Sequence, residues 1–116
     1  MTSLINLAHV FIIVPILYYI YKNQKELNPS DCKHILYIGI IGFVYHLYKY
    51  KEVMDGKEEK WKDWIFLLHI VFIFPLLIYI GYNCEKTKRK YFELLLVGMF
   101  AALGYHIYNF FKYLKK

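Results

Sequence analysis

The chain has 116 residues, 59% of them hydrophobic and 21% aromatic. Ordinary soluble domains run at about 45–50% apolar, and a chain this short has too little interior to hide the excess from water. Disorder, a collagen-like repeat and a disulfide-dense secreted scaffold are all excluded by this composition, with only 6 Gly, 3 Pro and 2 Cys. The surplus apolar surface is expected to face lipid.

The first stretch, 1–21, is free of charge, and further charge-free runs lie at 34–48, 64–84 and 94–111. A spanning helix takes about 20 mainly apolar residues. Runs one, three and four meet that requirement. The second is short, but Cys32, Lys33 and Tyr50 extend it, since tyrosines and lysine stems tolerate the interface. Four spanning helices are therefore expected, in an all-α integral membrane bundle. The first run lacks the basic leader and small-residue cleavage site of a signal peptide. The net charge of +6 lies in the short stretches between the runs, which argues against a nucleic-acid partner and for the lipid bilayer. Association with further copies of the chain is left open.

A shift of 60 residues aligns the chain with itself without a gap. His9 falls on His69, Pro15 on Pro75, Asn23 on Asn83, Tyr45 on Tyr105, His46 on His106 and Tyr48 on Tyr108, among thirteen identities in 53 pairs. The expected organisation is a duplicated two-helix unit, 1–56 and 57–116, forming one structural domain of two tandem hairpins in parallel repeat. Both termini and the loop 49–63 then share one membrane side (side A). The hairpin loops around Pro29 and Lys88 share the other (side B). Lys and Arg number 8 on side A and 7 on side B, so charge does not orient the chain.

The same symmetry places four histidines at one depth. His9 and His46 are equidistant from the first hairpin loop, His69 and His106 from the second, and His46 and His69 from the central loop. Equal residue counts at 1.5 Å each give one level, roughly 8–12 Å inside the side-A edge. Ionisable groups within spans are costly and mark functional sites by default. His9, His46, His69 and His106 are thus the candidate ligands for a cofactor or metal, either haem b or a transition-metal ion, for electron transfer or redox work. A proton or cation channel with a histidine relay is the rival reading, and a structural membrane protein whose histidines only join helices is the third. No Asp, Glu or Cys lies at that level to neutralise a bare divalent ion. His34 has no repeat partner and is read as incidental.

Supporting roles come from position. Gly39 and Gly42 precede His46 on one helix face, and Ala102 precedes His106. These small residues either leave room for a macrocycle or let helices pack closely. Tyr45, Tyr48, Tyr105 and Tyr108 flank the histidines as relay hydroxyls or interfacial anchors. Pro15 and Pro75, six residues beyond His9 and His69, are expected to bend their helices. Cys32 and Cys84 both lie near side B, and a bridge between them is conceivable. No nucleotide-binding glycine loop, metalloprotease motif or potassium filter is present, and the spans hold no Asp for a hydrolase triad. Whether the chain is an enzyme is not decided by these residues.

The segments FAALGYHIYN (100–109) and HIVFIFPLLIYIGY (69–82) resemble short uncharacterised multi-pass membrane proteins encoded by large DNA viruses of algae and protists. The preference for Lys (14) over Arg (1) agrees with an AT-rich genome. The resemblance implies a host or virion membrane and no particular activity.

Overall fold

A computed structural model describes residues 3–57 and 59–114. The described residues are almost all helical and contain no strand. They form four rods. The first comprises α1 (Ser3–Ala8), a π-helical turn (His9–Ile13) and α2 (Val14–Lys22). The second is α3 (Pro29–Met54). The third comprises α4 (Asp63–Leu68), a π-helical turn (His69–Ile73) and α5 (Phe74–Asn83). The fourth is α6 (Arg89–Leu114).

Three helices, Leu4–Lys22, Asp63–Lys86 and Arg89–Lys112, are long and apolar enough to cross a membrane. At 26 residues α3 is long enough too, about 39 Å at 1.5 Å per residue. Its composition is what sets it apart. The charge-free stretch is short and carries Tyr37, Tyr45, His46, Tyr48 and two glycines. Outward-facing apolar side chains run along all four rods, among them Phe11, Ile41, Val71 and Val97, each more than 60% exposed. Exposed apolar surface on this scale is compatible with helices that face lipid.

The chain divides into two compact units, Leu27–Thr87 and the pair Met1–Glu26 with Lys88–Lys116. They are termed inner and outer by their place in the sequence. Each takes one rod from each half of the sequence repeat. The inner unit packs α3 on α4 and α5. Its N-terminal end is set by a capping box, in which Asn28 Oδ1 accepts from the Asp31 amide at 2.8 Å and Pro29 opens the first turn. Buried Cys32, Ile35 and Gly39 recur at helical spacing on α3. Gly81 allows a close backbone approach, since a Cβ there would lie 2.6 Å from the Leu36 backbone nitrogen. Cys32 and Cys84 form a disulfide that joins the start of α3 to the end of α5. Cys84, one half of this cross-link, has a positive φ of 52°, a region that favours glycine.

The outer unit packs the first rod on α6. Val14, Leu17 and Ile20 are buried on one rod, and Phe92, Leu95 and Met99 on the other. Towards the chain termini the buried residues turn polar: Asn6, His106 and Asn109 are each less than 5% exposed.

Candidate functional site

Each unit brings two of the four histidines into ring contact. In the inner unit His46 and His69 stack with centroids 4.6 Å apart and planes at 11°. Each offers a ligand nitrogen within 4.8 Å of the other's. In the outer unit His9 and His106 stack at 4.2 Å and 21°.

The local hydrogen bonds set the chemistry of each ring. Nδ1 of His9 donates to the Ile5 carbonyl at 2.8 Å, His46 to Gly42 at 2.8 Å and His69 to Ile65 at 2.7 Å, always one turn back. Nδ1 of His106 donates to the side-chain oxygen of Asn6 at 2.8 Å. A carbonyl oxygen only accepts, so Nδ1 carries the hydrogen and the neutral ring has its lone pair on Nε2. A metal-binding imidazole usually has this arrangement, with the far nitrogen donating to a carbonyl that fixes tautomer and orientation. His34 makes the same bond to Ser30 at an exposed position, so the bond alone does not mark a site. The pairing does.

Both π-helical turns begin at a histidine and end just before the proline, at equivalent places in the two halves. The Val14 amide reaches His9 and the Phe74 amide reaches His69, five residues back. A proline ring clashes with the carbonyl of the preceding turn, and a turn one residue wider relieves it. Pro15 and Pro75 themselves are exposed. Turns of this kind concentrate at functional positions, because they rotate the residues ahead of them.

The surroundings of the two pairs differ. In the inner unit Phe74 lies 4.6 Å from His46 and 5.9 Å from His69, and Phe66 lies 6.1 Å from His46. Phe74 occupies the space over Gly42, where an added Cβ would come within 2.1 Å of its ring. Gly39 is closed in the same way by Ile78 and Leu77. The two glycines thus serve close packing within the unit. In the outer unit Ala102 is half-buried on the α6 face that carries His106. Tyr45 and Tyr105 stand edge-on to the histidines next to them in the chain, at 5.4 and 5.1 Å. Tyr45, Tyr48 and Tyr108 are more than half exposed.

Sequence reasoning does not single out Asn6, Asn109, Phe66 or Phe74. Asn6 is fully buried against His106, and Asn109, one turn beyond His106, buries a side-chain nitrogen with no hydrogen-bond partner. A signal for the two asparagines exists, because they are mirror positions about the same chain midpoint as His9 and His106. The aromatic pair has no such signal, since phenylalanine is common throughout the spans. Comparison with protein-family models, curated proteins and solved structures finds no match for this chain.

Proposed function

We propose that the chain is an integral membrane protein with four spanning helices, and that its paired intramembrane histidines bind a transition-metal ion. The observation that carries this reading is the His46–His69 pair: two imidazoles in contact, both with Nδ1 committed to backbone carbonyls and the lone pair on Nε2. Imidazole suits zinc, copper, iron and nickel. Two adjacent ligands on a tetrahedral ion stand about 3.3 Å apart for metal–nitrogen bonds of about 2.0–2.1 Å. The ligand nitrogens of His46 and His69 lie within 4.8 Å of each other, within reach of one shared ion. A bis-histidine haem instead needs its imidazoles on opposite faces of a porphyrin, and rings 4.2–4.6 Å apart leave no room for one between them. The geometry therefore favours a bare ion over haem. Within each pair, the mirror positions along the chain support a common depth for the two imidazoles. With no acidic group at that depth, the ion's charge is balanced by its own exogenous ligand, such as hydroxide.

The test is metal analysis of detergent-purified protein after equilibration with Zn²⁺, Cu²⁺ or Co²⁺ and removal of excess. One ion per chain is expected, lost in His46→Ala and His69→Ala. Protein that retains none of the three metals overturns the reading.

One observation favours a second reading. The outer unit buries Asn6, His106 and Asn109 together on otherwise apolar helices, and such polar groups line proton or ion pathways as well as metal sites. Protein reconstituted in liposomes would then carry a proton current that His106→Ala abolishes, with no metal bound.

A further inference from the structure

At the disulfide end of the inner unit lies a cavity of about 560 Å³, whose lining includes Cys32, Lys33, Leu36, Cys84, Glu85 and Lys86. Beside it a second cavity of about 470 Å³ is lined by Phe43, Pro75, Ile78 and Tyr79. Tyr82 and Asn83 belong to both. These two residues join the cavities into one depression, whose first part has charged side chains in its lining and whose second part has none.

The two parts match the two parts of a phospholipid. The charged part lies where the charge-free runs of α3 and of the third rod end, at Lys33 and Glu85, which is headgroup depth for helices that span. The apolar part runs from there towards mid-span along Pro75, just beyond the π-helical turn His69–Ile73. Two ammonium groups and one carboxylate complement a zwitterion: Lys33 and Lys86 suit the phosphate oxygens, and Glu85 suits a quaternary or primary ammonium. Basic groups at helix ends hold lipid phosphates in this manner, and lysine stems reach the interface while covering apolar surface. The Cys32–Cys84 bridge makes the charged end rigid, because it ties together the two helix ends that carry these side chains.

We propose that this depression is a site for a single phospholipid with a zwitterionic headgroup, its phosphate on Lys33 and Lys86, its ammonium on Glu85 and one acyl chain in the groove of Phe43, Pro75, Ile78 and Tyr79. The site is distinct from the histidine pairs and rests on the membrane reading alone. It differs from general lipid contact in having a fixed stoichiometry and a headgroup preference.

The experiment is native mass spectrometry of the disulfide-intact protein in detergent, titrated separately with a phosphatidylethanolamine and a phosphatidylglycerol of identical chains. One phosphatidylethanolamine per chain is expected, retained in preference to phosphatidylglycerol. The Lys33→Ala/Lys86→Ala variant should weaken its retention about tenfold, the scale of one charge-assisted hydrogen bond. Glu85→Gln, at an exposed position, should erase the preference between the two lipids, and a preference that survives it overturns the ammonium assignment. Equal retention of both lipids by the unmodified protein overturns the headgroup assignment. Unchanged phosphatidylethanolamine retention in the double variant overturns the site.

Discussion

His106 donates its Nδ1 hydrogen to the side-chain oxygen of Asn6 at 2.8 Å, across one hundred residues of sequence, and neither residue is more than 2% exposed. This bond ties α6 to α1. Interhelical hydrogen bonds in membranes are worth about 1–2 kcal/mol in model peptides and about 0.6 on average in double-mutant cycles. Asn6→Leu should therefore lower thermal stability in detergent by an amount in that range, because it leaves the imidazole N–H buried and unmatched. The double variant Asn6→Leu/His106→Leu should lose less than the sum of the two singles. Additive losses would show that the bond is not formed.

Asn109 gives the opposite sign. Its buried nitrogen has no partner, and burying an unmatched amide costs about 1–3 kcal/mol in proteins. Asn109→Leu should hold or raise the melting temperature. A clear fall would show that the amide contributes a stabilising contact and is not an unmatched group.

Gly42 couples packing to the histidine pair. A methyl group there would come within 2.1 Å of the Phe74 ring, which in turn lies against His46 and His69. Gly42→Ala must push Phe74 aside. Overpacking of this kind costs about 1–3 kcal/mol, and metal affinity should drop with stability. Gly81→Ala collides instead with the Leu36 backbone, 2.6 Å away, so its cost in stability should be at least as great. Calorimetry and metal titration on the two variants would separate the effects. Gly42→Ala with wild-type metal affinity would show that Phe74 does not position the rings.

Pro75 is predicted to act on His69 through the wide turn. With alanine in its place, the amide returns and the turn His69–Ile73 is free to close to α-helical width. Removing one residue's worth of turn rotates α4 by about 100° relative to α5. His69 would then leave the stack. Pro75→Ala should keep or increase helix stability while lowering metal affinity. A variant equal to wild type in both measurements would show that the π turn is set by packing and not by proline.

The disulfide supplies what the charge count does not. Cys32 and Cys84 close a loop with a sequence separation of 52, for which the chain-entropy model gives about 4 kcal/mol. Such bridges persist in oxidising compartments. The loop end carrying Asn28 and Glu85 is thus expected to face the lumen or exterior, with residues 55–62 on the reducing side. Maleimide-polyethylene-glycol should label Cys32 and Cys84 in intact cells only after an impermeant reductant. Cys84→Ser should lower the melting temperature strongly. Labelling without reductant would count against the bridge and the orientation together.

The helices themselves were legible in the residues, because charge-free apolar runs and helical rise are local properties. The partners within each histidine pair were legible for a similar reason, since residues equidistant from a turn stand level on neighbouring helices. His46 opposite His69 and His9 opposite His106 are both mirror pairs in the numbering. Asn6 and Asn109 obey the same relation, yet an asparagine carries no charge and reads as a cap or turn residue unless its depth is counted. What the tertiary structure decided is which surfaces meet. Pairing of the outer rods with each other, and of the inner rods with each other, depends on complementary faces far apart in sequence, and a 60-residue repeat is compatible with several pairings. Whether Cys32 reached Cys84 depended on that choice. So did the use of Gly42, which admits either a ligand or a side chain until the partner helix brings Phe74 to fill it.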